Sequence, residues 1–176
     1  MDELMRLDSD FSEAKFKTNV DNIFVKLHMA VMLKDLERVR HFISDELYQK
    51  YFNVIQELEE KNLIHMYDEF NVASTEIMNV EITEEYFLIY VMIRSKCMDY
   101  YIDKDTKKYV SGNNVRREER NHILTFMKKR NHNIQGNARR CPSCGANIDV
   151  NHDGKCSYCG TIYNLKDYEY VLTDIK

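Results

Sequence analysis

With 176 residues, 44% of them apolar and 31% charged with both signs mixed, the chain can bury one ordinary core and does not resemble a disordered tail. A formal net charge of -4 argues against a general electrostatic grip on nucleic acid, so that partner class is not expected. No apolar run approaches the roughly 18–20 residues that span a bilayer, and the acidic, mixed stretch 1–10 is unlike a secretory signal.

These features place the chain in a reducing, cytoplasmic compartment, where cysteines serve as metal ligands rather than disulfides. In chain order, residues 1–9 read as an N-terminal extension. Asp10 followed by Glu13 has capping-box spacing, and Phe16, Val20, Ile23, Phe24 and Leu27 recur as one apolar helical face. Leu36, Val39 and Arg40 suggest a short second helix. Ser44 suits the N-cap of a third, which presents Leu47, Tyr51, Ile55 and Leu58 on one side and ends at Asn62, a residue that tolerates the left-handed conformation.

The period then changes from helical to alternating. Thr75 to Thr83 reads as a first strand, Glu84 and Glu85 as a turn, and Tyr86 to Ile102 as a long second strand. One of its faces carries Phe87, Ile89, Val91 and Ile93, followed by Ser95 and Cys97. The other carries Tyr86, Leu88, Tyr90 and Met92, followed by Arg94 and Lys96. Residues 103–114 are expected to form a hairpin loop and Arg120 to Lys129 a third strand. Helices followed by antiparallel strands give an α+β class: helices packed on a curved antiparallel sheet, a cystatin-like cone with an internal pocket.

Composition shifts again at 131–137, read as a linker. Beyond it, Cys141, Cys144, Cys156 and Cys159 form two Cys-x2-Cys pairs, each followed by a glycine, Gly145 and Gly160. Two such knuckles aim four thiolates at one ion, and glycine permits the positive φ that each turn needs. Four sulfurs leave no open coordination position, so one structural Zn2+ in a small C-terminal zinc ribbon at 138–172 is expected. Iron is the alternative ion for the same ligands. Thr161 to Leu165 and Tyr168 to Leu172 read as the ribbon's strands, and His152 as a turn residue.

Several residues carry a further resemblance. Asp10, Phe11 and Ser12 with Phe16, then Ala30 with the run Asp35 to Arg40, the stretch Ser44 to Tyr48, and Glu118 to Phe126 with Lys129 and Arg130 resemble the Tim-forty-four-like (Tim44-like) domain. That family is named for a peripheral inner-membrane subunit of the mitochondrial import motor. The closing cysteine pairs through Tyr168 to Leu172 are similar to the ribbon that follows this domain in some bacterial members. The resemblance implies a cone over 10–130 like that of nuclear transport factor two. It also implies binding at a membrane or to a protein partner without enzymatic activity, at the inner face of a bacterial membrane.

On this reading the ligand is lipid-like or a protein segment, held by an apolar pocket or by tyrosines. The candidate contacts are Phe24, Leu27, Tyr86, Tyr90, Tyr100 and Tyr101. Asp8, Asp10, Glu13 and Asp21 offset Lys15, Lys17 and Lys26, which leaves the first helix without a cationic face for anionic lipid. Cys97 reads as a buried thiol. Arg94, Lys96, Arg116, Arg117, Arg120, Lys128, Lys129 and Arg130 read as a solvated strand edge, and Asp99 and Asp103 as solvated strand ends. Two alternatives stay open. One is a pocket enzyme of the isomerase or dehydratase type, which needs Asp99 or Asp103 buried beside a histidine or tyrosine. The other is a nucleic-acid-binding ribbon led by Arg139 and Arg140.

Overall fold

The computed structural model describes residues 1–130, 144–147, 156–160 and 169–176. Helices α1 (Asp2–Leu7), α2 (Glu13–Leu33) and α3 (Asp45–Glu60), with a 3-10 turn at Leu36–Val39, precede strands β1 (Leu63–Ile82), β2 (Tyr86–Asp103), β3 (Tyr109–Lys129) and β4 (Val171–Ile175). The strands form one antiparallel sheet in the order β1-β2-β3-β4. The expected α+β class is observed.

Helix α2 forms because its apolar residues fall on one stripe. Phe16, Val20, Ile23, Phe24, Leu27, Ala30 and Val31 are all buried. Asp10 does not cap it: Ser12 occupies the N-cap position without a side-chain bond, so the helix begins later than the capping-box spacing suggested. Helix α3 begins as expected, with Ser44 Oγ accepting from Leu47 N at 3.2 Å. It ends before Asn62, whose φ of 56° is left-handed.

The inward face of β2 supplies the opposing half of the core. Phe87, Ile89, Val91 and Ile93 are buried against α2, joined by Leu124 and Phe126 of β3. Phe16 meets Phe126 edge-on at 5.4 Å between centroids. Three strands of 20, 18 and 21 residues cannot stay flat, and register shifts along both long pairings supply local bends. At one of them Gly112 has φ 99°, and a Cβ there would lie 2.5 Å from Tyr100 Cα. Only glycine allows β3 to pass so close to β2.

Four expectations about element extents are corrected. The first strand begins at Leu63 rather than Thr75, because a bulge between Asp68 and Asn71, with Glu69 at φ 49°, interrupts the alternation that marks a strand. The expected hairpin loop at 103–114 is shorter, closed by Asp103 N bonding Lys108 O, and β3 starts at Tyr109. Residues 1–9 are not a loose extension: α1 buries Leu4 completely. The chain's last strand does not stay with the cysteine module. Val171–Ile175 pairs with Leu124 to Met127, so the module is an insertion between β3 and β4. The segment Thr161 to Leu165 and His152 lie outside the described residues.

A buried polar clamp ties the ends together. Lys128 Nζ sits 2.9 and 2.8 Å from the two Asp8 carboxylate oxygens, and Tyr170 OH donates to Asp8 Oδ2 at 2.9 Å. The side chains of Lys128 and Asp8 are only 12% and 8% exposed, which corrects the reading of Lys128 as a solvated edge charge. Removing one partner strands the other charge away from water. Asp8→Ala is therefore expected to cost about 3–5 kcal/mol in urea denaturation. Adding Lys128→Met to it should restore most of that loss. A single variant within 1 kcal/mol of wild type would show that the clamp carries little stability.

Candidate functional site

Two arrangements of chemical groups stand out, and the first is the cysteine centre. The sulfur atoms of Cys144, Cys156 and Cys159 all lie within 4.8 Å of one another. Cys144 Sγ and Cys156 Sγ are 3.6 Å apart. A disulfide would hold them at about 2.05 Å, whereas a tetrahedral ion with Zn–S near 2.3 Å spaces its sulfurs at about 3.8 Å. Gly145 and Gly160 have φ of 72° and 70°, and a Cβ at either would meet nothing within 4 Å. Their role is thus the left-handed turn that both knuckles need. Gly160 N closes the second knuckle onto Cys156 O at 2.9 Å. The three described cysteines fit a thiophilic metal ion; Cys141 lies outside the described residues.

The second arrangement is a cavity of about 220 Å³ between the helices and the lower half of the sheet. It exists because β2 keeps its inward parity past Ile93 while its residues turn polar: Ser95, Cys97, Asp99 and Tyr101 follow in alternation. The early start of β1 brings His65 opposite Tyr101 and Tyr67 opposite Asp99. His65 Nε2 lies 2.7 Å from Asp99 Oδ1, and Arg120 Nη1 lies 2.7 Å from Asp99 Oδ2. With Nε2–H donating to Asp99, His65 Nδ1 accepts from Tyr67 OH at 2.9 Å. Tyr101 stacks on the His65 ring at 4.3 Å.

Asp99 is thus 9% exposed at its side chain and not a solvated strand end. Its neighbours set its charge. Burial works against the carboxylate, but His65 and Arg120 outweigh it and hold the group below its usual range. Tyr67 is pushed well above its usual value by burial and by Asp99, so it stays a phenol. Burial raises the Cys97 thiol and lowers the His122 imidazole. His28 donates Nδ1–H to Phe24 O at 2.8 Å, and its burial lowers its pKa to about 4. Asp103 is different: it accepts from Asp105 N, Thr106 N and Asn62 in an exposed turn.

The six ligand candidates separate in space. Phe24 and Leu27 are fully buried within the core. Tyr101 sits beside the cavity. Tyr86 and Tyr90 project from the opposite face of β2, where Tyr90 OH donates to Glu81 Oε2 at 3.1 Å. Tyr100 donates to Asp68 and lies beside Tyr109. Much of the basic edge is paired with carboxylates, as in Lys96 with Glu119, Arg117 with Glu69 and Arg120 with Asp99. Sequence reasoning left His28, His65, Tyr67 and His122 unassigned. The available signal was the continued alternation of β2 into Asp99, but its partner strand could not be read through the bulge.

The class of protein is thus an α+β cone carrying an inserted cysteine centre and a polar interior cavity. The profile of the Tim44-like domain matches residues 1–138, and the chain belongs to that family. The family is related to membrane-associated, transport-type proteins and is generally non-enzymatic. The crystal structure of the intermembrane space region of the chloroplast protein ARC6 is similar at a TM-score of 0.46 and 8% identity, covering 91% of this chain and 94% of that one. No curated protein sequence matches. No helix among the described residues is long and apolar enough to cross a membrane.

Two outcomes follow from this geometry. Purified protein should contain one thiophilic metal ion per chain by inductively coupled plasma mass spectrometry. Cys156→Ser should lose it, while the cone's melting transition stays within a few degrees, since the core makes no use of these sulfurs. Retained stoichiometric metal in that variant would refute the centre.

The second outcome concerns pH. Because His28 is held neutral in the fold with a pKa near 4, the unfolded chain takes up a proton first as pH falls below about 6.5. Its stabilising contribution is complete above that pH and is lost on the way down to about 4. The loss should amount to about 1–3 kcal/mol in urea titrations at pH 7 and 4.5. Asp99, with a lowered pKa, acts only below about 4, outside this window. His28→Gln should reduce the slope, with His122, which burial also lowers, contributing in the same direction to what remains; an unchanged slope would show that His28 is not the main titrating group.

Proposed function

We propose that this Tim44-like protein is a non-enzymatic binding protein that holds a protein segment near the inner face of a bacterial membrane. A zinc ion in the cysteine insertion makes that module a rigid docking piece. The observation that carries the reading is an apolar band on the sheet face turned away from the helices. Leu88 pairs with Met127 and Met92 with Ile123, with Tyr90 between the two pairs and Tyr86 at one end. Ile123 is 51% exposed. Charged groups flank the band, including Arg94 and Lys96 with Glu119. An apolar and tyrosine-bearing centre inside a charged rim is the composition of a protein-binding surface.

A protein segment is favoured over a lipid on two grounds. The interior cavity, at about 220 Å³, is smaller than the roughly 300–1,000 Å³ typical of drug-sized ligands, so an acyl chain has no room there. The first turns of α2 mix Glu13 with Lys15 and Lys17, and Lys17 pairs with Glu13 at 2.7 Å. That leaves no cationic face for anionic headgroups.

A photocrosslinking residue placed at Tyr90 or Ile123 should give discrete protein adducts in membrane-containing extracts. The same residue at exposed Lys15 on α2 should not. Met92→Asp should abolish the adducts without shifting the melting temperature by more than a few degrees. Vesicles of anionic lipid should not co-float the protein. Adducts that are equal at all three positions, or strong vesicle binding, would refute the reading.

A further inference from the structure

The polar cavity is lined by several hydrogen-bonding groups that the fold itself does not use, the Tyr51 hydroxyl among them. Ser95 is 2% exposed and lines the cavity, yet its hydroxyl makes no hydrogen bond among the described residues. His28 spends Nδ1–H on Phe24 O, which leaves Nε2 as a bare acceptor toward the same space. The ring nitrogens of His122, facing His28 at 6.2 Å between centroids, likewise have no protein partner among the described residues. These atoms open onto the cavity rather than into packed protein, so only an occupant of that space can bond them. Several such groups around one cavity mark a place built for an occupant.

Shape and charge narrow the occupant. Phe70 lies 4.6 Å from the His28 ring and Tyr67 4.7 Å, so the walls beside the unused nitrogens are aromatic. Such walls suit a flat ring. An engineered cavity of about 150 Å³ holds benzene, so about 220 Å³ holds a ring with one or two substituents. The interior carries no net ionic demand from its fixed pair: Asp99 is matched by Arg120, and at the rim Lys176 is paired with Asp174 at 3.3 Å. The bare His28 nitrogen calls for a hydroxyl or N–H on the ligand, and Ser95 can donate to a ligand oxygen.

We propose that this cavity binds a small, uncharged, hydroxyl-bearing ring compound of the phenol or catechol class, against the aromatic wall that Phe70 and Tyr67 form with His28, with His28, His122 and Ser95 as its hydrogen-bond partners. The site is separate from the outer-face band and stands whether or not a protein segment docks there.

The test is a titration of the full chain with phenol and catechol, read from the imidazole C–H resonances of His28 and His122. Benzoate and toluene serve as charged and apolar controls. Phenol should shift both histidines saturably at millimolar concentration or below, and the two controls should bind at least about tenfold more weakly, the equivalent of one buried hydrogen bond. Ser95→Ala and His122→Phe should each weaken phenol by about tenfold or more while leaving the melting temperature unchanged or raised. Ser95→Ala provides the readout if the bulkier His122→Phe fails to fold. No saturable shift with phenol or catechol up to tens of millimolar would overturn the proposal. So would toluene binding as well as phenol, benzoate binding better than phenol through Arg120, or Ser95→Ala leaving phenol affinity unchanged.

Discussion

The interior depends on one constraint, the parity of β2. A strand places alternate residues on one face, and β2 keeps that alternation past Ile93 even where its pairing with β3 shifts after Cys97. The first four inward residues are apolar and close the core against α2. The next four, Ser95, Cys97, Asp99 and Tyr101, are polar or amphipathic and cannot be packed the same way. The same geometric rule that builds the core therefore opens the cavity, and the boundary between them is the sequence step from Ile93 to Ser95. The other face of the same strand carries the tyrosine and methionine band, so both candidate binding surfaces are printed on one element.

Once Asp99 is committed to the inward face, the rest of the lower sheet is arranged around its charge. A buried carboxylate persists only if paired and hydrogen-bonded. Arg120 reaches it from β3 and His65 from β1, which ties three strands at the level where their pairing is most irregular. The clamp of Asp8 by Lys128 and Tyr170 acts similarly at the other end. It joins α1, the end of β3 and the residue that leads back into the sheet. The cysteine insertion is thus anchored on both sides by the cone, at Lys128 before it and Tyr170 after it. A metal-driven fold inside the insertion would bring the ends of the chain between β3 and β4 closer without carrying the sheet's stability.

The regular parts of this architecture were legible in the sequence. The stripe of Phe16, Val20, Ile23, Phe24 and Leu27, the Ser44 cap, the left-handed Asn62, the two faces of β2 and the glycines after each cysteine pair are local signals, each tied to a single period or backbone demand. What escaped was non-local. Glu69 at positive φ breaks the alternation of β1, so residues 63–74 did not read as strand. With them went His65 and Tyr67, and hence the reason for Asp99 to be buried. Leu4 and Asp8 sit in a stretch too short and too charged to declare a buried helix. Val171 and Leu172 read as the end of the ribbon, because a short alternating stretch does not say which sheet it joins; only the tertiary pairing with β3 does.

A buried aspartate, histidine and tyrosine in a cone's cavity invite a catalytic reading, and the details of their bonding weigh against it. General acid–base catalysis needs a titratable group with an uncommitted atom within hydrogen-bond reach of the substrate. Both Asp99 oxygens are taken, by His65 and Arg120, and both His65 nitrogens are taken, by Asp99 and Tyr67. The Tyr67 hydroxyl spends its proton on His65. The uncommitted atoms among the described residues are instead the His28 Nε2, the His122 nitrogens and the Ser95 and Tyr51 hydroxyls. Both imidazoles are held neutral by burial, and no carboxylate is bonded to either to support an imidazolium in a transition state. The saturated trio is better understood as a strut that fixes the cavity's floor, and the unsaturated groups as those that meet a ligand.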